Sequence, residues 1–183
     1  MRLNRKQPNR KKLAYSAKEC AYLACFVALT IAVQFVFSFL PGIELVTALF
    51  ISYSFTLGAK RGMLAATAFS LLRQFVFGFF PTVLILYLVY YNFLTLIFGM
   101  IGRKVKNPFK ALPWLTALAC ACTVCFTMLD NLITPLWYGY TAKATKLYFY
   151  ASLPVMLPQT VCTAVSVACL LLPFHKAFLS FQK

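Results

Sequence analysis

Six apolar stretches, each about long enough to cross a lipid bilayer, leave this chain little room to be anything but a membrane protein. They cover residues 21–40, 43–59, 63–80, 82–101, 111–133 and 153–174. A membrane-crossing helix needs about 20 mostly apolar residues, with a range of about 17–25. The stretches are ended by Pro41-Gly42, Lys60-Arg61-Gly62, Pro81, Arg103 with Lys104, Thr134-Pro135 and His175-Lys176. They are too long for barrel strands and lack a two-residue alternation. The predicted fold is therefore an all-α membrane protein, a six-transmembrane-helix bundle. Only 11% of the residues are charged, against about a quarter in a soluble domain. That excludes a soluble globular enzyme, a disordered chain and a small disulfide scaffold. The expected organisation is a basic tail over 1–19, one membrane domain over 20–176 and a short tail over 177–183.

The basic residues set the expected orientation. With the N-terminus inside, the inner segments hold Arg2, Arg5, Lys6, Arg10, Lys11, Lys12 and Lys18, then Lys60 and Arg61. They also hold Arg103, Lys104, Lys106 and Lys110, and finally Lys176 and Lys183. The outer segments hold only Lys143 and Lys146, and Arg73 lies within a span. Fifteen against two follows the positive-inside rule and predicts a multi-pass plasma-membrane protein with both termini cytoplasmic. It also requires an even number of spans. The net charge of +15 is thus a matter of topology rather than of nucleic-acid binding, because no soluble face exists to present a groove-reading element. The N-terminal basic and apolar segments resemble a signal peptide, but the apolar run is too long and no small-residue cleavage site follows. The expectation is a retained first span.

Several chemistries lack their residues. There is no G-x-x-x-x-G-K-[ST] loop and no G-x-S-x-G elbow. His175 is the only histidine, so a metal site built on several histidines is excluded. No cofactor and no catalytic residue is indicated. Cys122-Thr-Val-Cys125 is a C-x-x-C, but it falls in mid-span, where low dielectric suppresses the reactive thiolate. The other cysteines read as small buried apolar residues.

The polar residues inside the spans are the candidate ligand contacts. Arg73 lies near the middle of the third span, where a charge costs about 2.5–3.5 kcal/mol and usually faces a cavity or a partner charge. Asp130, near the outer end of the fifth span, is its natural partner, with Asn131 beside it. Glu44 is expected to open the second helix, as a dipole-stabilised acid or as a ligand acceptor at the outer mouth. Tyr87 and Tyr91 share a face of the fourth span, with Tyr90, Asn92 and Thr95 nearby; a buried phenol needs a partner. This face is either a packing seam or the wall of a pocket for a planar ligand. Gln159 and Thr160 adjoin Pro158, which frees a backbone carbonyl in the sixth span. The predicted pocket is Glu44, Arg73, Tyr87, Tyr91, Asp130, Asn131 and Gln159. A flat heterocycle with donors and an anionic group suits this mixture. The segment 134–152 is expected to be the longest outer connection, with Trp137, Tyr138, Tyr140, Tyr148, Phe149 and Tyr150 as an interfacial belt. Ala24, Ala28 and Ala32 form a small-residue stripe that lets another helix approach, within the bundle or outside it.

Six short spans with both ends inside, the Ala24-xxx-Ala28-xxx-Ala32 helix and three short segments together resemble a known family. The segments are Pro41-Gly-Ile-Glu-Leu, Leu57-Gly-Ala-Lys-Arg-Gly62 and Phe77-Gly-Phe-Phe-Pro81. Over residues 18–176 the chain resembles the substrate-binding S component of energy-coupling factor (ECF) vitamin transporters. The resemblance implies that it captures a vitamin or related micronutrient from outside. It implies docking through Ala24, Ala28 and Ala32 onto an ECF transmembrane coupling subunit, which two ATPase subunits drive. Substrate-contact residues do not carry over, because they vary with substrate, and the tryptophan-rich thiamine signature is missing. Three rival readings stand beside it. One is a stand-alone proton-coupled secondary transporter using Asp130 or Glu44. The others are a membrane thiol oxidoreductase on Cys122 and Cys125, and a structural subunit that binds no small molecule.

Overall fold

The computed structural model describes residues 17–40, 42–105 and 107–180. Among these every regular element is an α-helix: α1 (Ala17–Phe37), α2 (Val46–Leu57), α3 (Ala59–Phe77), α4 (Pro81–Lys104), α5 (Pro108–Tyr138) and α6 (Ala142–Ser180). The basic residues Arg2, Arg5, Lys6, Arg10, Lys11, Lys12, Lys106 and Lys183, and Pro41 of the first turn, lie outside the described residues.

The helices fall on the six apolar stretches, with ends shifted for local reasons. Pro81 and Pro108 occupy the first helical position of α4 and α5, where a missing N–H has no partner to lose. Pro135 does not end the fifth helix as expected. α5 passes through it to Tyr138, and the chain turns at Gly139. A proline inside a long apolar helix removes one backbone bond, here the one to the carbonyl of Asn131, a loss that a packed helix tolerates. α6 begins at Ala142 rather than near 153, because Ala142, Lys143, Ala144, Lys146 and Leu147 are strong helix formers. The long outer connection expected over 134–152 is therefore corrected to a turn at 139–141 between two helices.

Cross-helix contacts give the directions. Glu19 pairs with Arg61, and Gln34 bonds Arg73, so α1 and α3 run parallel. Arg73 lies over Tyr87, and Thr67 bonds Asn92, so α3 and α4 are antiparallel. Gln159 reaches Glu44, and His175 reaches Thr56 at 2.9 Å, so α2 and α6 run parallel. Cys120 meets Thr160, and Asn131 meets Ser152, so α5 and α6 are antiparallel. Successive helices thus alternate. Lys18, Lys60, Arg61, Arg103, Lys104, Lys110 and Lys176 gather at one end, and Lys143 and Lys146 stand at the other.

α2 is the axis of the bundle. Every residue from Val46 to Phe55 is buried, against α1, α3, α4 and α6. Phe50 packs edge-on to Phe26 and Phe69, with ring centres 5.4 and 5.2 Å away, and tilts onto Tyr91 at 4.9 Å. Its backbone needs close neighbours. A Cβ on Gly102 of α4 would lie 2.0 Å from the carbonyl oxygen of Phe55, so only glycine admits this crossing.

Among the described residues four helices are long and apolar enough to cross a membrane: α1, α4, α5 and α6. That supports a multi-pass membrane protein. α2, with 12 residues, is about 18 Å long, and α3 carries Lys60, Arg61 and Arg73. The outer surface is apolar: Phe75 is 88% exposed and Phe39 77%. Lipid accounts for such a surface where water does not.

Candidate functional site

The polar residues of the spans meet at the end of the bundle opposite the basic cluster. The α1–α2 connection closes over this end. Gly42, at a φ of +84°, packs so tightly on α6 that a Cβ there would lie 2.8 Å from Pro158 Cγ. Its position sets Glu44 against α6. Glu44 does not open a helix as expected: α2 starts at Val46, and Glu44 lies in the connection before it. Freed from helical geometry, its carboxylate reaches three helices. Tyr91 on α4 donates to Oε1 at 2.6 Å, and Thr47 on α2 donates to the same oxygen at 3.2 Å. Gln159 on α6 donates to Oε2 at 2.5 Å.

Arg73 belongs to a second network. Its Nε donates to Gln34 Oε1 at 2.8 Å, and Gln34 Nε2 donates to the Tyr87 hydroxyl at 2.9 Å. The guanidinium lies over the rings of Phe77 and Tyr87, with Cζ 4.4 and 4.7 Å from their centres. Such contacts stabilise a desolvated cation by about 2 kcal/mol or more. Nη1 is buried and has no partner among the described residues.

The expected pairing of Arg73 with Asp130 does not occur. Asp130 accepts from Thr134 at 2.8 Å and from the Tyr148 hydroxyl at 2.7 Å. Both donors lie on the α5–α6 hairpin, so Asp130 is satisfied locally. The extension of α6 back to Ala142 is what brings Tyr148 there. Asn131 donates to Ser152 Oγ at 2.9 Å.

Two cavities divide these residues. One, of about 320 Å³, is walled by Gln34, Glu44, Arg73, Phe77, Tyr87 and Gln159, among others. The second, of about 300 Å³, is walled by Asp130, Tyr148, Ser152 and Met156. Phe126, Val155 and Gln159 line both, so the two adjoin. Each is at the lower end of the range for small-molecule sites, about 300–1,000 Å³. Of the seven expected pocket residues, Glu44, Arg73, Tyr87 and Gln159 line the first cavity, and Asp130 and Gln159 the second. Tyr91 is fully buried behind Glu44. Asn131 lines neither cavity. Gln34 is the site residue that the sequence reading missed. Its signal was a single amide inside the first apolar stretch, whose partners lie 39 and 53 residues away.

The remaining candidates are dispersed. Ala24, Ala28 and Ala32 are all exposed, while Phe26, Val27 and Thr30 form the buried face of α1. The stripe therefore faces away from the bundle. Cys122 and Cys125 are free thiols, half-buried and exposed. A further cavity of about 580 Å³, between the start of α1 and the ends of α2 and α6, contains none of the expected site residues. Among the described residues no three His, Cys, Asp or Glu side chains gather to hold a metal ion. In comparisons with known protein families, curated proteins and solved structures, nothing matches this chain.

Proposed function

We propose that this chain is the substrate-binding membrane subunit of an ECF-type importer, not itself an enzyme, and that it delivers a vitamin-like micronutrient inward. The observation that carries this reading is the polar cavity at the end away from the basic cluster. It is walled by residues of all six helices and of the α1–α2 connection, and one of them, Arg73, has a buried N–H without an acceptor. Leaving such a donor unsatisfied costs about 1–3 kcal/mol, which an acceptor on a bound ligand would recover.

In this reading all six helices cross the membrane, with both termini cytoplasmic. α2 need not match the bilayer, because its neighbours shield it from lipid. The cavity then faces outside, where substrate arrives. The exposed alanine stripe on α1 supplies the surface for the transmembrane coupling subunit, and its small side chains allow close backbone approach. Two ATPase subunits supply the energy that this chain has no nucleotide loop to provide.

The test is purification from native membranes in mild detergent, with mass spectrometry of everything retained. Recovery of two ATPases and a second membrane subunit supports the reading. Recovery of the chain alone, from membranes that contain those subunits, overturns it.

A further inference from the structure

The hydrogen-bond polarity of the cavity specifies the ligand more narrowly. An arginine side chain has donors only. The oxygen of the Gln34 amide must therefore face Arg73 Nε, and its NH2 must face Tyr87. That makes the Tyr87 hydroxyl an acceptor in this bond, and its own proton donates in none of the hydrogen bonds described. Arg73 lines the same cavity, and its Nη1 lacks an acceptor; the atom is covered here, so a ligand meets it as the guanidinium turns toward the cavity. Two donors on residues that line the cavity thus lack acceptors. The carboxylate that lines this cavity is not short of donors: Glu44 receives Tyr91, Thr47 and Gln159, and Asp130 lines the adjoining one. What the cavity lacks is an acceptor at Arg73 and Tyr87.

We infer that the ligand is a monocarboxylate with an aromatic or similarly apolar body, its carboxylate bridging Arg73 Nη1 and the Tyr87 hydroxyl. The guanidinium and the Glu44 carboxylate already balance within the cavity. A monoanion adds a single negative charge beside Glu44, whereas a phosphate dianion adds two in a region of low dielectric. The rest of the wall is apolar, with Phe37, Phe77, Phe126 and Val155. Gln34 acts as a positioning residue: by holding Nε and the Tyr87 oxygen, it turns the remaining donors toward one point.

The inference rests on this cavity being a ligand site and is tested without any partner subunit. Benzoate, benzamide and phenyl phosphate are titrated against the purified full chain in lipid nanodiscs, followed by calorimetry and thermal unfolding. Benzoate is expected to bind at least about tenfold more tightly than benzamide, as for a charge-assisted hydrogen bond. Arg73→Gln is expected to abolish that preference. Tyr87→Phe, which keeps the ring over the guanidinium, should reduce it by about tenfold. Arg73→Lys keeps the charge and guards against a misfolded Arg73→Gln; it should bind benzoate more weakly than the parent chain. Absence of benzoate binding, equal binding of benzamide, tighter binding of phenyl phosphate, or a preference that survives Arg73→Gln each overturns the inference. Co-purification of the ATPases is unaffected by these outcomes, so the importer reading and the ligand class fail separately.

Discussion

Tyr90 and Tyr91 are adjacent, both buried, and predicted to respond in opposite ways to loss of a hydroxyl. Tyr91 is fully buried and donates to Glu44 Oε1 at 2.6 Å. Tyr91→Phe keeps the ring against Phe50 and Phe69, whose centres lie 4.9 and 5.4 Å away, and removes only this bond. A hydrogen bond to a charged group is worth about 1.5–3 kcal/mol. Glu44 keeps Thr47 and Gln159, so the lower half of that range, about 1.5–2 kcal/mol, is the expected loss. Tyr90 is 4% exposed, and its hydroxyl makes no hydrogen bond of good geometry, only loose contacts with the Thr47 and Thr123 hydroxyls. Tyr90→Phe removes a desolvated group that gains little from these loose contacts, and should be neutral or stabilising by up to about 1 kcal/mol. Both variants are measured by reversible unfolding in mixed detergent micelles, with the Tyr91→Phe, Glu44→Gln double mutant closing the cycle. Coupling between Tyr91 and Glu44 should exceed about 0.5 kcal/mol. Equal effects of the two tyrosine substitutions, or strict additivity with Glu44→Gln, would refute the claim that Glu44 organises this end of the bundle.

Other consequences follow from packing and exposure. Gly102→Ala drives a Cβ into the Phe55 carbonyl and should cost about 1–3 kcal/mol in the same unfolding assay, as overpacking does. Thr123 donates to Thr163 at 3.1 Å between α5 and α6; Thr123→Val should cost only about 0.6 kcal/mol, the average for such bonds in membranes. Ala28→Trp lies on the exposed face of α1, so the isolated chain should unfold at the parent temperature; under the importer proposal, recovery of a coupling subunit in affinity purification should fall by about tenfold or more. Arg61 and Glu19 form an ion pair with each side chain 34% exposed; Arg61→Gln should change stability by less than about 1 kcal/mol, and added salt should shrink the difference.

Composition and charge placement determine much of this protein by themselves. Long apolar stretches can satisfy their backbone groups in a bilayer only as helices, and the basic residues between them mark alternate ends. Six helices and one basic end follow from that, and the structure has both. Periodicity also placed Tyr87 and Tyr91 on one face. Helix ends were less legible, because local proline signals compete with tertiary support. Pro135 reads as a terminator, yet α5 runs through it to Tyr138, and Tyr148 reads as a loop residue until α6 is seen to begin at Ala142.

Only the tertiary structure decided which charges meet. One arginine in the third span and one aspartate in the fifth invite pairing on composition alone, but α3 packs on α1, α2 and α4 while α5 packs on α4 and α6. The α5–α6 hairpin instead supplies Asp130 with hydroxyl donors on its own elements, and the parallel packing of α1 on α3 brings Gln34 to Arg73. A hydrogen bond needs its partners within about 3 Å, and a shift of one helical turn, 5.4 Å, exchanges one partner for another. That register is set by side-chain packing between helices such as α2 and α4, where Gly102 meets Phe55, and no pattern along a single stretch encodes it.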